Sequence, residues 1–303
     1  MKCDAVLIAG PTASGKSAAA LALAEHIGGV VINADSMQVY REAPILTAQP
    51  DAAARARVPH LLYGHVSARE VYSVGRYAED ARQALGDART MNRIPIFVGG
   101  TGLYFTALTD GLAQIPPIPA AARAEARALL AAIGAEALHK RLNARDPETA
   151  AQLRPSDPQR VLRAYEVFEA TGRPLLHWQR ETGASVLGGL KLARFVLDPP
   201  RALLREAIAE RFAAMLDKGA LDEVRMLASL EPVLPAAKLL GLRPLISLVQ
   251  GRLARDEAIL EAVTATRQFA KRQMTWFRNR MADYVWIDPY SSNLITTFEH
   301  LSV

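Results

Sequence analysis

"GPTASGKS", Gly10 to Ser17, follows the apolar run Ala5-Val6-Leu7-Ile8-Ala9 and leads into "KSAAALALAEHI", Lys16 to Ile27. The order is a buried strand, a Gly-rich turn and an Ala/Leu helix that Gly28-Gly29 ends. Gly10, Gly15, Lys16 and Ser17 meet the spacing G-x-x-x-x-G-K-[ST] in the strand–turn–helix setting that its mechanism requires. In such a loop glycines let backbone N–H groups wrap an anion and the helix N-terminus adds positive potential. The lysine neutralises outer phosphate oxygens, and the serine hydroxyl can ligate Mg2+. The stretch grips a chain of phosphates, and the rest of the sequence has to say which molecule carries them.

Outward from the loop, Val30 to Asn33 reads as a second strand closing on "ADSMQVY", and a third is expected around Leu61 to Val66. Ser73 is placed to cap a helix running to about Met91. "IPIFV", Ile94 to Val98, is a further buried strand, broken by Gly99-Gly100 before "TGLYFTALTDG" opens a helix. Strands alternating with helices predict an α/β fold, a P-loop NTPase-like doubly wound parallel sheet. "IPPIP", Ile115 to Pro119, marks a boundary, after which the chain reads as helix upon helix to about Arg180. "KLARFVL", Lys191 to Leu197, resumes as a strand, long helices follow from Arg201, and "YVWID", Tyr284 to Asp288, ends the series. The expected organisation is a core of residues 1–114 and 186–303 with an inserted all-helical domain at 115–185.

The chain has 303 residues, half of them apolar and 22% charged, which is ordinary for a globular protein with a full core. Its single cysteine, Cys3, excludes an internal disulfide and fits a reducing compartment; the expected location is the cytoplasm. The apolar run at Ala5 to Ala9 is too short for a secretory or membrane segment, so no membrane partner is expected. Net charge is +5. From Thr264 to Arg280, "TATRQFAKRQMTWFRNR" carries five basic residues and no acidic one. It reads either as a solvated amphipathic helix with aromatic core residues or as a surface that tracks a phosphate backbone.

A motor or switch NTPase ends an apolar strand in a magnesium-binding Asp. Here "IPIFV" ends in Gly99-Gly100-Thr101 instead, and the acid follows the second strand as Asp35, next to Ser36. In doubly wound folds ligands sit outside the carboxyl ends of the strands, so Asp35 is expected to face the phosphate loop and to be able to accept a proton. The alternative is an N-cap for "SMQVY". Thr101, opening the helix after Gly99-Gly100, reads either as a hydroxyl and N–H near the same crevice or as a plain N-cap, while Tyr104 and Phe105 are expected in the core and His60 is expected to be structural. No His/Cys spacing fits a zinc site, and no nucleophile elbow is present.

Five stretches together resemble the bacterial-type tRNA dimethylallyltransferase (tRNA isopentenyltransferase) family. They are "GPTASGKS" (Gly10 to Ser17), "NADSMQVY" (Asn33 to Tyr40), "IPIFVGGTGLYFTAL" (Ile94 to Leu108), "DPQRVLRAYEV" (Asp157 to Val167) and "TRQFAKRQMTWFR" (Thr266 to Arg278). The resemblance implies transfer of a dimethylallyl group from dimethylallyl diphosphate to the exocyclic amine of the adenosine 3′ of the anticodon, adenosine 37. It implies that Gly10, Pro11, Thr12, Ala13, Ser14, Gly15, Lys16 and Ser17 hold the donor's diphosphate, with Mg2+ on Ser17 and Lys16 stabilising the leaving group. Asp35 would take the amine's proton and Thr101 would lie close to the reacting adenosine.

By the same resemblance Asp35, Ser36, Met37, Gln38 and Thr101 meet the tRNA. So do Arg123, Gln159, Arg160, Val161, Leu162 and Arg163 of the insertion, which would grip the anticodon stem-loop, and Lys238 and Arg243 of a later segment. A monomer is expected. Where relatives carry "GTAKP" and Gly-Tyr-Arg, this chain has "LTAQP" with Gln49 and "KLLGLRPL" with Leu242, so one basic contact and one stacking ring are absent. Two other functions compete. A small-molecule or nucleotide kinase shares the loop and the acid, but usually has an Arg-rich lid in place of a long helical insertion. A non-catalytic RNA-binding protein would not need Lys16, Ser17 and Asp35 intact.

Overall fold

The structure, a computed structural model, describes residues 3–301. β1 (Ala5–Ala9) runs through the phosphate loop into α1 (Lys16–Ile27) and β2 (Gly29–Asn33). After α2 (Ala52–Arg57), β3 (His60–Leu61) and α3 (Val74–Thr90), the chain forms β4 (Ile94–Gly99) and α4 (Gly102–Thr109). Among the described residues the strands make one sheet in the order β3-β2-β4-β1-β5-β6, all parallel, with β5 at Leu192–Leu197 and β6 at Val285–Ile287. β1 and β2 are buried at every position, as parallel strands covered on both faces must be. Val6, Ile8, Val31, Ile96, Val98 and Phe195 pack with Ala20, Leu23 and Ala24 of α1 in one core cluster.

The third strand is shorter than expected. Leu62 and Gly64 take left-handed backbone angles, φ 63° and 59°, which break the pleat after Leu61, and Val66 meets the sheet side only as a lone bridge to Tyr40.

The chain divides into two compact units: one runs to Leu108 and resumes at Val186, the other is Thr109–Ser185. The smaller unit holds α5 (Ala120–Arg145, interrupted at Gly134, φ 79°), α6 (Pro147–Ala151), α7 (Pro158–Thr171) and α8 (Leu175–Arg180). It has its own core of Ile118, Leu142, Ala150, Ala164, Val167 and Leu175. Asp146 accepts from the Thr149 N–H and Asp157 from the Arg160 N–H, so α6 and α7 each start on a side-chain cap.

In the larger unit α9 (Arg201–Asp217) and α10 (Ala220–Leu227) follow β5. A 3-10 turn at Pro235–Lys238, α11 (Leu242–Val249) and α12 (Arg255–Arg280) come next, and α13 (Leu294–Leu301) follows β6. Among the described residues no helix is long and apolar enough to cross a membrane.

Candidate active site

The phosphate loop joins β1 to α1 because Gly15 can adopt φ 80°, the left-handed angle that turns the backbone into the helix. Ala13 is held left-handed too, φ 65°, without a glycine's freedom. The loop opens on a cavity of about 320 Å³ that Thr12, Ala13, Ser14, Gly15, Lys16 and Ser17 line on one side. Gly10 and Pro11, expected to hold phosphate, do not line it. The Gly10 N–H donates to the Gly99 carbonyl at 3.2 Å, and the Pro11 carbonyl accepts from Lys16 Nζ at 3.3 Å, so this pair shapes the loop and offers no donor.

Lys16 is 7% exposed, and this burial lowers its ammonium to about 8; nearby Asp35 opposes the fall and Arg211 adds to it. Ser14 Oγ is buried with no partner in the protein. An anion in the cavity would stabilise the Lys16 charge and give Ser14 an acceptor.

Two residues from distant helices complete the loop. Arg211, on α9, donates to Thr12 Oγ1 at 2.6 Å and lines the same cavity. Gln273, on α12, accepts from the Thr12 N–H at 2.9 Å and donates to the Gly100 carbonyl at 2.8 Å, so one buried amide ties the phosphate loop to the turn after β4. That turn has no room for side chains. A Cβ on Gly100 would lie 2.1 Å from Gln273 Nε2, and one on Gly102 2.4 Å from the Trp276 ring. Arg211 sits beside an apolar stripe of α9 and had no motif to mark it; an arginine four residues after the small cavity-lining Ala207 was its only trace.

Asp35 lines the same cavity as the loop. "SMQVY" forms turns and no helix, so Asp35 caps no helix; its Oδ1 accepts from the Met37 N–H at 3.0 Å in a turn of its own. Asn33, fully buried, fixes that turn: its Oδ1 accepts from the Asp35 N–H at 2.8 Å and its amide donates to the Asp35 and Leu62 carbonyls. Thr101 Oγ1 accepts from the Ser36 N–H at 2.8 Å and bonds Ser36 Oγ at 3.1 Å, so Thr101 and Ser36 brace the Asp35 turn without lining the cavity. Met37 lines it. Gln38 does too, but its amide donates to the Thr47 and Ala48 carbonyls at 3.0 and 2.7 Å, so the donor expected to meet tRNA is committed to the cavity's own wall.

The expected RNA residues of the helical unit occupy two faces of α7. Gln159 and Arg160 are exposed, and Leu162 and Arg163 half-buried. Val161 is fully buried, turned into the core of the unit by the helical period, and its side chain cannot reach a ligand. Arg160 lies 3.4 Å from Asp157, and Arg163 lies 4.0 Å from Glu166. Desolvation lowers the Arg163 guanidinium, Glu166 opposes that, and the like charge of Arg123 adds to it. Arg123 keeps a buried Nε with no partner. Two guanidiniums of one sign, one of them with an unsatisfied donor, make a place for an anion.

Lys238 and Arg243 are exposed. The two departures have structural roles: Gln49 donates to the Tyr40 carbonyl at 2.7 Å, and Leu242 is buried in the core, where it cannot stack on a base. Tyr104 and Phe105 are core residues as expected, Tyr104 stacking on Tyr77 at 3.7 Å, and His60 bonds the Val58 carbonyl. Among the described residues no group of three or more His, Cys, Asp or Glu could hold a metal. A Mg2+ here would therefore take the Ser17 hydroxyl, waters and substrate phosphates, the ligand set this ion favours.

Comparison with known proteins gives a consistent result. A family model described as IPP transferase matches residues 38–280, and one described as isopentenyl transferase matches residues 3–62. A tRNA dimethylallyltransferase of Nitrobacter hamburgensis is 51% identical over 288 residues, covering 94% of this chain and 91% of that protein. One of Azorhizobium caulinodans is 52% identical, covering 94% and 92%. Among solved structures, the full-length tRNA isopentenylpyrophosphate transferase of Bacillus halodurans is similar with a TM-score of 0.68 and 31% identity, over 99% of this chain and 95% of that one. A eukaryotic dimethylallyltransferase acting on tRNA is similar with a TM-score of 0.81 and 26% identity, over 97% and 77%.

Proposed function

The chain belongs to the IPP transferase family, and from that membership we infer that it transfers a dimethylallyl group from dimethylallyl diphosphate to the N6 amine of adenosine 37 in tRNA. The observation that carries the reading is the composition of the cavity. A phosphate loop with a buried Lys16 and the added guanidinium of Arg211 faces a carboxylate, Asp35, and β4 ends in glycines where a switch NTPase would place its magnesium-binding Asp.

The chemistry follows from that arrangement. The allylic C–O bond breaks with its electron pair leaving on diphosphate, so the main demand is stabilisation of a growing anion. Lys16, Arg211 and the backbone N–H groups at the start of α1 are the groups for it, and Ser14 Oγ has a hydrogen to give. When bound, Mg2+ on the Ser17 hydroxyl supplies further charge neutralisation at the phosphate oxygens. The adenine amine is a weak nucleophile because its lone pair is delocalised into the ring. As its nitrogen bonds the allylic carbon it must lose a proton, and Asp35, braced by Asn33, Thr101 and Ser36, is placed to accept it. The amine has to leave the base stack to enter, which suits a loop nucleotide.

The helical unit supplies RNA contacts in this reading. Arg123 and Arg163 form an anion site, and Gln159 and Arg160 extend it along the exposed face of α7 towards the anticodon stem-loop. Lys238 and Arg243 add positive charge from the larger unit.

The test is purified protein with unmodified tRNA and either dimethylallyl diphosphate or ATP, read by nucleoside mass spectrometry. Prenylated adenosine from the diphosphate donor alone is expected. ATP turnover with unmodified tRNA would replace this reading with a kinase.

A further inference from the structure

Between Ala43 and Gln49 the chain forms a wall of the donor cavity without helix or strand, and Leu46, Thr47 and Ala48 line the cavity. Backbone turns tie part of the segment, with the Thr47 N–H donating to the Ala43 carbonyl at 3.1 Å, Ala48 to Ile45 at 3.0 Å and Gln49 to Pro44 at 2.9 Å, and Ala48 stands at φ 54°, a left-handed angle that a residue with a Cβ keeps only under restraint. Side chains add to that restraint. Gln38 bonds the Thr47 and Ala48 carbonyls, and the Thr47 hydroxyl donates to the Ala43 carbonyl at 2.6 Å. The third brace comes from α10: Glu223 Oε1 accepts from the Ile45 N–H at 2.7 Å and Oε2 from the Leu46 N–H at 2.8 Å.

Glu223 is 5% exposed, and among the described residues no cation forms a salt bridge with it. Burial pushes its carboxyl up from the ordinary value while the two N–H donors oppose the rise. Burying a carboxylate is unfavourable unless both oxygens are satisfied, and here both are used on adjacent residues of the wall. Leu46, held by the second bond, is itself buried and lines the cavity, whose larger apolar members also include Met37, Leu240 and Phe269. The lining thus combines a phosphate loop with apolar side chains, a composition that suits a short prenyl diphosphate.

We propose that Glu223 is the positioning residue of the prenyl end of the site: by fixing the Ile45 and Leu46 backbone it holds the Leu46 side chain as the stop that admits a five-carbon donor and rejects longer ones. The proposal rests on the functional reading above.

The test compares wild type with Glu223→Ala, Glu223→Gln and Leu46→Ala, using tRNA and either dimethylallyl diphosphate or geranyl diphosphate, its ten-carbon analogue. For Glu223→Ala the KM for the five-carbon donor should rise about tenfold, with kcat within about threefold and the ten-carbon to five-carbon ratio of kcat/KM up about tenfold or more. Glu223→Gln, which keeps one acceptor, should fall between, and Leu46→Ala should reproduce the change in donor ratio. Amide exchange at Ile45 and Leu46 in the ligand-free protein should accelerate in Glu223→Ala. Unchanged exchange, an unchanged donor ratio in Leu46→Ala, or an equal loss of kcat for both donors that tracks the folded fraction would each overturn the proposal. Wild type that modifies no tRNA with the five-carbon donor would instead overturn the functional reading, and the exchange measurement would still test the brace.

Discussion

The Arg211 guanidinium donates to Thr12 Oγ1 at 2.6 Å, so a helix 199 positions further along the chain stands over the phosphate loop. Desolvation works against its charge and Asp35 favours it, which leaves a half-buried cation aimed at the anion site. Arg211→Ala should therefore lower kcat/KM by roughly 10²–10³, the range for one lost oxyanion-type donor. Arg211→Lys should restore little, because an ammonium cannot serve Thr12 and a phosphate through one planar fork. Steady-state kinetics of Arg211→Ala, Thr12→Ala and the double variant check this: the double variant should lose less than the sum of the two single losses in free energy.

Lys16 predicts a pH dependence. With its folded value near 8, the free enzyme loses this cation above that pH, and kcat/KM for the donor should fall there. Stability moves the other way. The unfolded lysine, near 10.5, binds more protons than the folded one between about pH 8 and 10.5, so stability rises with pH across that window and the cost is fullest below it. That cost is roughly 3 kcal/mol at neutral pH. Lys16→Met should be inactive yet melt higher than wild type at pH 7, with the gap falling to about half by pH 9.5 and closing above about pH 10.5. A variant that melts lower at both values would show the ammonium to be stabilising.

Asp35→Asn separates chemistry from architecture. Asparagine keeps an oxygen for the Met37 N–H and so preserves the turn, but accepts no proton. The expected result is a fall in kcat of about 10²–10⁴ with the affinity for the anticodon stem-loop within about threefold. Collapse of RNA binding would make Asp35 a recognition residue and remove it as the base.

For the helical unit the measurement is salt dependence. Arg160→Ala and Arg163→Ala should each weaken tRNA binding and reduce the slope of log K against log salt by about 0.7–0.9. The Arg160–Asp157 contact, at 3.4 Å on partly exposed side chains, makes little difference to folding, so Arg160→Ala should barely move the melting point; Arg163→Ala leaves the buried Glu166 without its partner at 4.0 Å and should melt lower. An unchanged slope would assign both arginines to those ion pairs alone.

The sheet and the phosphate loop were legible because each strand is an apolar run closed by glycine, proline or asparagine, and the loop carries its own spacing. β3 was not, since a left-handed Leu62 has no sequence signature and the run "HLLYGHV" looks continuous. Asp35 was found through its place after β2. Arg211 and Glu223 were invisible for a shared reason: each lies on a helix beside core positions, where a charged residue usually just carries its tip into water. Val161 shows the opposite limit, in which a motif marks a stretch but cannot say which of its members face the ligand and which face the core.

The Gly99–Gly102 turn and the Gln273–Trp276 stretch of α12 touch so closely that neither has a shape of its own: Gly100 abuts the Gln273 amide, and Gly102 the Trp276 ring. Evolution must therefore handle them as one inherited part. A chimera taking one stretch from a distant relative and keeping the other should lose its phosphate loop's anchor even if both parents are active. Drift in one should leave a matching trace in the other.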